Sequence, residues 1–251
     1  MYPSKKNFSA SFDFEVLEKN VIDNKVINYI KTDNCIGKYI KNGVYWEKWM
    51  FEYLKKYYKE NTNILDLGAN IGTTSLLMAE IISKNCKVYA FEPIYDDIFF
   101  KNILDNNLSD TIELFPYAAG NKLDHLQVHT FDFHRSENFG GFDIIHNLDK
   151  SKSKSKSKGK SKGNTKEITA LTVDSFNFEN VSLIKIDVEN MEIEVLEGCY
   201  NLILKNKPSI LIESYKLDVL KNTVIFKKLT DLGYTIKPIP EGYLDFLLSI
   251  D

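Results

Sequence analysis

The stretch from residue 63 to residue 83 constrains this chain more than any other. Ile64-Leu65-Asp66-Leu67 is an apolar run of strand length, Gly68-Ala69-Asn70-Ile71-Gly72 is a glycine turn, and an apolar helix pattern runs from Thr73 to about Ser83. Strand, tight turn and helix in immediate succession begin a βαβ unit, and the pattern recurs. Residues 87–91 read as a second strand ending at Glu92-Pro93, a helix follows through Ile98, Ile103 and Leu104, and residues 112–115 read as a third strand. Residues 181–186 form another apolar run, ending in Asp187. One helix face then carries Met191, Val195, Leu196, Cys199, Leu202 and Ile203, and residues 209–212 read as a strand ending at Glu213. A helix near 222–232 leads through Gly233 to strands around 234–239 and 243–250. This alternation predicts an α/β fold: a doubly wound, mostly parallel sheet with right-handed crossovers and helices on both faces. The strand count approaches seven, and a closing hairpin-like pair distinguishes it from a six-stranded dinucleotide-binding sheet.

Around this frame the chain divides into an N-terminal helical extension, residues 1–60, and an α/β domain, residues 61–251, with an inserted segment at 125–166. In the extension, Trp46, Trp49, Met50, Tyr53, Leu54 and Tyr57 step by three and four, as an amphipathic helix packed on the sheet would. In the insertion, residues 126–131 alternate with period two and predict a strand of a hairpin. Residues 150–166 are almost entirely Lys, Ser and Gly, with no apolar side chain to offset the entropy of ordering, so a flexible surface loop is expected.

Bulk composition excludes several function classes. A formal net charge of -3 gives no reason to expect a nucleic-acid partner. Arg135 is the only arginine, so a bidentate arginine clamp on a phosphate is nearly unavailable. No apolar stretch is long enough to span a bilayer, and the N-terminal residues lack the pattern of a secretory signal. Cys35, Cys86 and Cys199 have no metal-ligand spacing and are expected as buried free thiols, in keeping with a cytoplasmic location. His125, His129, His134 and His146 all fall in the insertion, at spacings that match no zinc site, and read as ordinary hairpin residues; His134, beside Arg135, is the one to test as a base.

Two constellations carry chemistry. The first is the Asp66–Gly72 turn with Glu92 at the end of the next strand, about 20 residues on. Glycine lets the chain turn sharply and lets backbone approach a ligand, while the helix behind offers free N–H groups. An acidic side chain at the second strand end can accept hydrogen bonds from both hydroxyls of a ribose. A dinucleotide needs Gly-x-Gly-x-x-Gly to seat its pyrophosphate, but here Asn70 holds the middle glycine's place and Thr73 the third's. That argues against an NAD-dependent oxidoreductase and for a phosphate-free nucleoside ligand such as S-adenosylmethionine, whose amino and carboxylate groups Asp66, the turn backbone and Asn70 can meet. The candidate cofactor-binding residues are therefore Asp66, Gly68, Asn70, Gly72 and Glu92, with Ala118 beyond the third strand. The second constellation, residues 183–192, places Asp187, Glu189 and Glu192 at a strand end and on the first turn of a helix, with Glu189 and Glu192 on one helix face. Dipole complementarity accounts for the two glutamates, whereas Asp187 sits at the crevice edge.

Asp66-Leu67-Gly68-Ala69-Asn70-Ile71-Gly72, Phe91-Glu92-Pro93, Leu183-Ile184-Lys185-Ile186-Asp187-Val188-Glu189 with Glu192, Val195, Leu196 and Gly198, and Leu171-Thr172-Val173-Asp174-Ser175-Phe176 together resemble the FkbM-type methyltransferases over about residues 43–215. The resemblance implies a Rossmann-like class I methyltransferase fold and S-adenosylmethionine-dependent methyl transfer to oxygen, commonly on a sugar, glycan or other hydroxylated small molecule. This chain departs from the family at Asn190, where glycine is usual; asparagine tolerates left-handed backbone angles, so the turn can survive. The departure also leaves room for a non-catalytic nucleotide-binding module of the same fold. An acceptor hydroxyl needs a base, for which Asp187 is the first candidate and Glu189 the second. Either could instead ligate a divalent metal with Glu213.

Overall fold

The computed structural model describes residues 2–129, 132–139, 144–145 and 165–250. The chain opens with a hairpin, β1 (Leu17–Ile22) and β2 (Lys25–Ile30), then α1 (Ile36–Lys41) and α2 (Met50–Tyr57). The α/β body begins with β3 (Asn63–Leu67), α3 (Thr73–Ile81), β4 (Val88–Phe91), α4 (Asp96–Asp105) and β5 (Ile112–Phe115). Four short strands follow: β6 (Ala118–Ala119), β7 (Asp124–His129), β8 (Ile144–Ile145) and β9 (Thr165–Leu171). The body resumes with β10 (Val181–Ile186), α5 (Glu192–Gly198), α6 (Tyr200–Asn206), β11 (Ser209–Glu213), α7 (Leu217–Lys221), α8 (Val224–Asp231), β12 (Tyr234–Pro238) and β13 (Asp245–Ile250).

The main sheet has seven strands in the order β12-β13-β11-β10-β3-β4-β5. Neighbours from β11 through β5 run parallel, and β13 runs antiparallel to both β11 and β12. This is the mostly parallel, doubly wound sheet with a closing antiparallel pair that the sequence predicts. Chain order reverses between β3 and β10, which opens a crevice beyond their carboxyl ends. Period-two alternation gives each strand one side chain per face. Ile64, Val88, Leu114, Leu183, Leu211 and Leu247 pack under α2, α3 and α4, while Leu65, Phe91, Ile184, Ile210 and Leu248 pack under α5, α6 and α8. Two filled apolar layers thus hold the strand ends in a fixed register, and it is those ends that carry the polar side chains.

The N-terminal extension is not simply helical. Its first element pair is a hairpin whose turn residues Asp23 and Asn24 both take positive φ, 50° and 61°, a geometry that Asp and Asn tolerate and that matches strand twist. The helix expected from Trp46 begins only at Met50 and buries Met50 and Leu54. Nor does the extension stand apart: Ile27, Tyr29, Ile36 and Ile40 share one buried cluster with the sheet. Asn28 and Asn102 bind each other three times across that contact: the Asn28 backbone N–H and Nδ2 donate to Asn102 Oδ1 at 2.6 and 2.9 Å, and Asn102 Nδ2 donates to the Asn28 carbonyl at 3.1 Å.

The insertion does contain the expected strand, as β7, which pairs antiparallel with β9 from Asp124↔Ala170 to His129↔Thr165. Residues 130 and 131, His146 and all but the last two residues of the Lys/Ser stretch lie outside the described residues. The single helix expected after Asp187 is two short helices, α5 and α6, joined at the buried Cys199. Cys35 and Cys86 are half-buried rather than fully buried thiols.

Candidate active site

The glycine turn is built by close backbone contact. Gly68 has φ +82°, and a Cβ there would stand 1.8 Å from the Asp187 carbonyl oxygen, so only glycine lets the β3 turn lie against the end of β10. Asn70 takes φ 52°, and its Oδ1 accepts the Ile71 N–H at 2.7 Å, a local bond that holds the left-handed turn. Gly72, at φ +90°, caps α3, where a Cβ would meet the Phe99 ring at 2.0 Å.

Glu92 ties the turn to the next strand. Its Oε2 accepts the Asn70 N–H at 2.8 Å, and its Oε1 accepts the N–H groups of Ile94 at 2.7 Å and Tyr95 at 3.0 Å. Burial pushes this carboxyl up to about 7, against the opposing pull of the three amides. A carboxylate offers about four acceptor positions, so Glu92 retains one on Oε2, fewer than two incoming hydroxyls would use.

A first cleft opens here. Gly68, Asn70, Glu92, Asp187 and Glu189 line it together with the apolar Phe91, Tyr117, Ala118, Ile168 and Met191. Of the cofactor-binding candidates, Gly68, Asn70, Glu92 and Ala118 meet at this cleft, while Asp66 and Gly72 do not line it. Asp66 is fully buried behind the turn, its Oδ2 accepting the Ser75 hydroxyl at 2.5 Å and its Oδ1 accepting no hydrogen bond. Period two explains this: Asp66 shares a strand face with Ile64 and points under α3 rather than out of the strand end.

A second cleft of about 240 Å³ adjoins the first, and Asn70, Asp187 and Glu189 line both. Its other walls include Trp46, Glu47, Lys185, Glu213 and Tyr215. The sheet register assembles it. Lys185 pairs with Asp66 across β10 and β3, and Glu213 pairs with Asp245 across β11 and β13; because Lys185 is in register with Leu211, two residues before Glu213, all four lie on one face in two successive rows. The Lys185 ammonium donates to Asp187 Oδ2 at 2.9 Å and to the Gly68 carbonyl at 3.0 Å, and it lies 3.8 Å from Asp66 Oδ1. Burial disfavours its charge, but Asp187, Asp66 and Glu47 outweigh that and hold it firmly protonated. Burial and then the Asp187 carboxylate push the Glu213 carboxyl far above the usual range, so Glu213 keeps a proton and hydrogen-bonds with Asp187. Burial likewise pushes Glu47 up to about 7 and Asp245 up to about 6.

The expected helix face shared by Glu189 and Glu192 does not form. Helix α5 starts at Glu192, and Glu189 and Asn190 precede it in left-handed conformations, φ 49° and 73°. Asn190 thus adopts the backbone that the usual glycine would, and its N–H donates to Glu192 Oε1 at 2.9 Å. His134 is exposed, 3.5 Å from Asp13, and lines neither cleft. Among the described residues no group of three or more His, Cys, Asp or Glu side chains has the geometry to hold a metal ion, and no helix is long and apolar enough to cross a membrane.

A glycine turn, a buried acidic residue at the next strand end and Asp187 at the shared wall follow one another along residues 66–236, the stretch that matches the Methyltransferase FkbM domain. The chain belongs to this family. Its large, mostly parallel α/β sheet with helices is in keeping with that family, and the family implies S-adenosylmethionine as cofactor. The chain is also similar to a methyltransferase FkbM from Methylobacillus flagellatus KT, with 16% identity and a TM-score of 0.48, covering 79% of this chain and 49% of that one. It therefore spans about half the length of that relative. A methyltransferase from Geobacter sulfurreducens gives 12% identity and a TM-score of 0.47, covering 84% and 83%. SMU.1697c from Streptococcus mutans, in complex with SAH, gives 12% and 0.46, covering 80% and 94%. No curated protein matches the chain significantly.

Glu47, Lys185, Tyr215 and Asp245 were not among the sequence candidates. Lys185 had a signal, since a lysine inside the apolar run 181–186 must find buried acidic partners. Glu47 had none, because nothing local marks a residue ahead of α2 as facing the ends of β10 and β11.

Proposed function

We propose that this chain transfers a methyl group from S-adenosylmethionine to a hydroxyl oxygen of a sugar, glycan or other hydroxylated small molecule, with the donor in the first cleft and the acceptor in the second. The observation that carries this reading is the shared wall: Asp187 borders both clefts, so its carboxylate is within reach of an acceptor presented to a donor. The first cleft suits the donor. Gly68 and Asn70 leave the turn without bulk, Glu92 has an acceptor position left for a ribose hydroxyl, and the apolar wall from Phe91 to Tyr117 suits an adenine face. Bound there, S-adenosylmethionine supplies an electrophilic methyl group on a positively charged sulfur.

The chain's own residues supply position and a proton acceptor. A sugar hydroxyl is a poor nucleophile at neutral pH, and a base near it contributes about 10²–10⁴-fold. Asp187 is the proposed base. Lys185 fixes one of its oxygens from below, which orients the other without consuming it. The proton on Glu213 keeps a second negative charge from building up beside it. Glu189 borders the same wall and is the second candidate. Asp66 takes an indirect part, by seating Ser75 and balancing Lys185 behind the turn.

The test is transfer of labelled methyl from S-adenosylmethionine to a panel of mono- and oligosaccharides, run in parallel with Asp187→Asn. Label appearing on a sugar oxygen, and lost in the variant, is the expected result. Full turnover by Asp187→Asn would remove Asp187 from the role of base.

A further inference from the structure

Residues 2–9 form no helix or strand, yet the α/β body holds them closely. β5 is an edge strand of the main sheet, and its Leu114 carbonyl accepts the Lys5 N–H at 2.7 Å. The Lys5 side chain is 7% exposed, and its ammonium meets Asp96 Oδ2 at 2.5 Å and Asp97 Oδ1 at 2.9 Å. The Ser9 N–H donates to the same Asp97 oxygen at 2.8 Å, and Phe8 packs edge-on against Phe100 of α4. At the other end of the segment, the centre of the Tyr2 ring lies 5.9 Å from that of Tyr117 and 5.3 Å from that of Phe176. Two of these anchors reach the wall of the first cleft. Tyr117 lines it directly. Asp96 and Asp97 open α4 just after Ile94 and Tyr95, which also line the cleft and whose N–H groups hold Glu92 Oε1. A helix N-terminus favours two acids in its first turn without help, so charge balance does not call for a buried lysine there. Burying that lysine also costs desolvation that the pairing does little more than offset. What the pairing contributes is placement of residues 94–97.

We propose that residues 2–9 are a strap that positions the donor cleft, with Tyr2 and Lys5 as its positioning residues. The inference rests on reading the first cleft as the site of S-adenosylmethionine. Tyr2 backs the Tyr117 ring, so that this ring keeps its place in the wall offered to the adenine. Lys5 ties the start of α4 to the edge of β5, so that the amides of Ile94 and Tyr95 stay where they grip Glu92. The strap therefore acts on the two groups that meet the nucleoside, the aromatic wall and the acidic strand end, without itself lining the cleft. Its inner part is the anchor, through Lys5, Phe8 and Ser9, and Tyr2 is the partly exposed tip that the anchor delivers. Fixing the wall before the ligand arrives lowers the ordering cost of binding, which is why the strap should show in donor affinity and not only in stability.

The experiment compares the full chain with Tyr2→Ala, Tyr2→Phe and Lys5→Met by calorimetric titration with SAH, thermal melting and amide hydrogen exchange. Ile225→Val, in the core under α8 and away from both clefts, serves as the control for general loosening. Tyr2→Ala should bind SAH about 3- to 10-fold more weakly, and Tyr2→Phe, which keeps the ring, should restore the parent's affinity. Lys5→Met should weaken SAH binding about tenfold and speed exchange at Ile94 and Tyr95. Ile225→Val should lower the melting temperature and leave SAH affinity as it is. If Lys5→Met does not fold, the two Tyr2 variants decide. SAH bound as tightly by Tyr2→Ala and Lys5→Met as by the parent overturns the strap and leaves the donor reading standing. A loss in Tyr2→Ala that Tyr2→Phe does not restore, or an equal loss in Ile225→Val, overturns it too. If the parent itself binds no SAH, the donor reading fails and exchange judges the strap separately. Faster exchange at Ile94 and Tyr95 in Tyr2→Ala or Lys5→Met then keeps it as a brace of the cleft, and unchanged exchange removes it.

Discussion

The two clefts meet at Asp187 but are made in different ways. The first is made by backbone: a turn of seven consecutive residues whose N–H groups and left-handed angles do the positioning, closed by one glutamate 20 residues beyond Gly72. The second is made by side chains that converge from the turn ahead of α2, from β10, from β11 and from the loop after β11. A backbone site must be contiguous and so leaves a motif. A convergent site leaves only scattered acids whose meeting depends on register, and it is free to vary with the acceptor while the donor turn stays fixed.

The largest expected effect falls on the wall the clefts share. Asp187→Asn should lower methyl-transfer kcat by about 10²–10⁴-fold while SAH binding, followed by calorimetry, changes little. A comparable loss of SAH affinity would mean that Asp187 belongs to the donor side alone. Next is Gly68→Ala, where the added Cβ meets the Asp187 carbonyl and the positive φ is disfavoured. A destabilisation of about 3 kcal/mol with lost SAH binding is expected in thermal melts and titrations; a stable variant that binds SAH would show that the turn can open.

A pH profile sharpens the contrast further. Glu92 is raised to about 7 by burial, and hydroxyl donors from a ribose favour its charged form. SAH affinity should therefore be about tenfold weaker at pH 6 than at pH 8 and level off above. In the ligand-free protein the sign is opposite. A carboxyl raised on folding favours the folded state at low pH, and that contribution is lost as pH rises from the unfolded value toward about 7. A flat affinity profile would separate Glu92 from the ribose. The smallest effect is expected at Ser75→Ala, which removes the hydrogen bond to Asp66 for about 1–2 kcal/mol of stability and little change in SAH affinity.

Much of the sheet was legible in the sequence because β3, β4, β10 and β11 are apolar runs closed by an acid or a glycine. The same local logic singled out Gly68, Asn70, Glu92 and Asp187, which line the first cleft. It could not tell that Asp66 lies behind the turn, since a motif position does not say which sheet face a side chain takes; that follows only once Ile64 is known to lie under α3. It misjudged the pairing of Glu189 with Glu192 because the helix starts three residues later than Glu189, after two left-handed residues. It missed the hairpin at Asp23-Asn24, whose strands are short and mix polar with apolar residues on both faces. Glu47 and Asp245 depend on tertiary docking and antiparallel register, which spacing along the chain does not encode.

Asn102 bears on how far the molecule could be cut down. Its side chain bonds the β2 backbone at Asn28 and, through Nδ2, the carbonyl of Ile71 in the glycine turn at 2.8 Å. One amide thus braces the N-terminal hairpin against the loop that seats the donor. A fragment trimmed to the family-matched stretch, residues 66–236, would lose the hairpin, Glu47 and β13, the strand that joins β12 to β11, together. The smallest autonomous unit of this protein is accordingly larger than the stretch by which its family is recognised, and chimeras that exchange the second cleft need to carry the first 60 residues along.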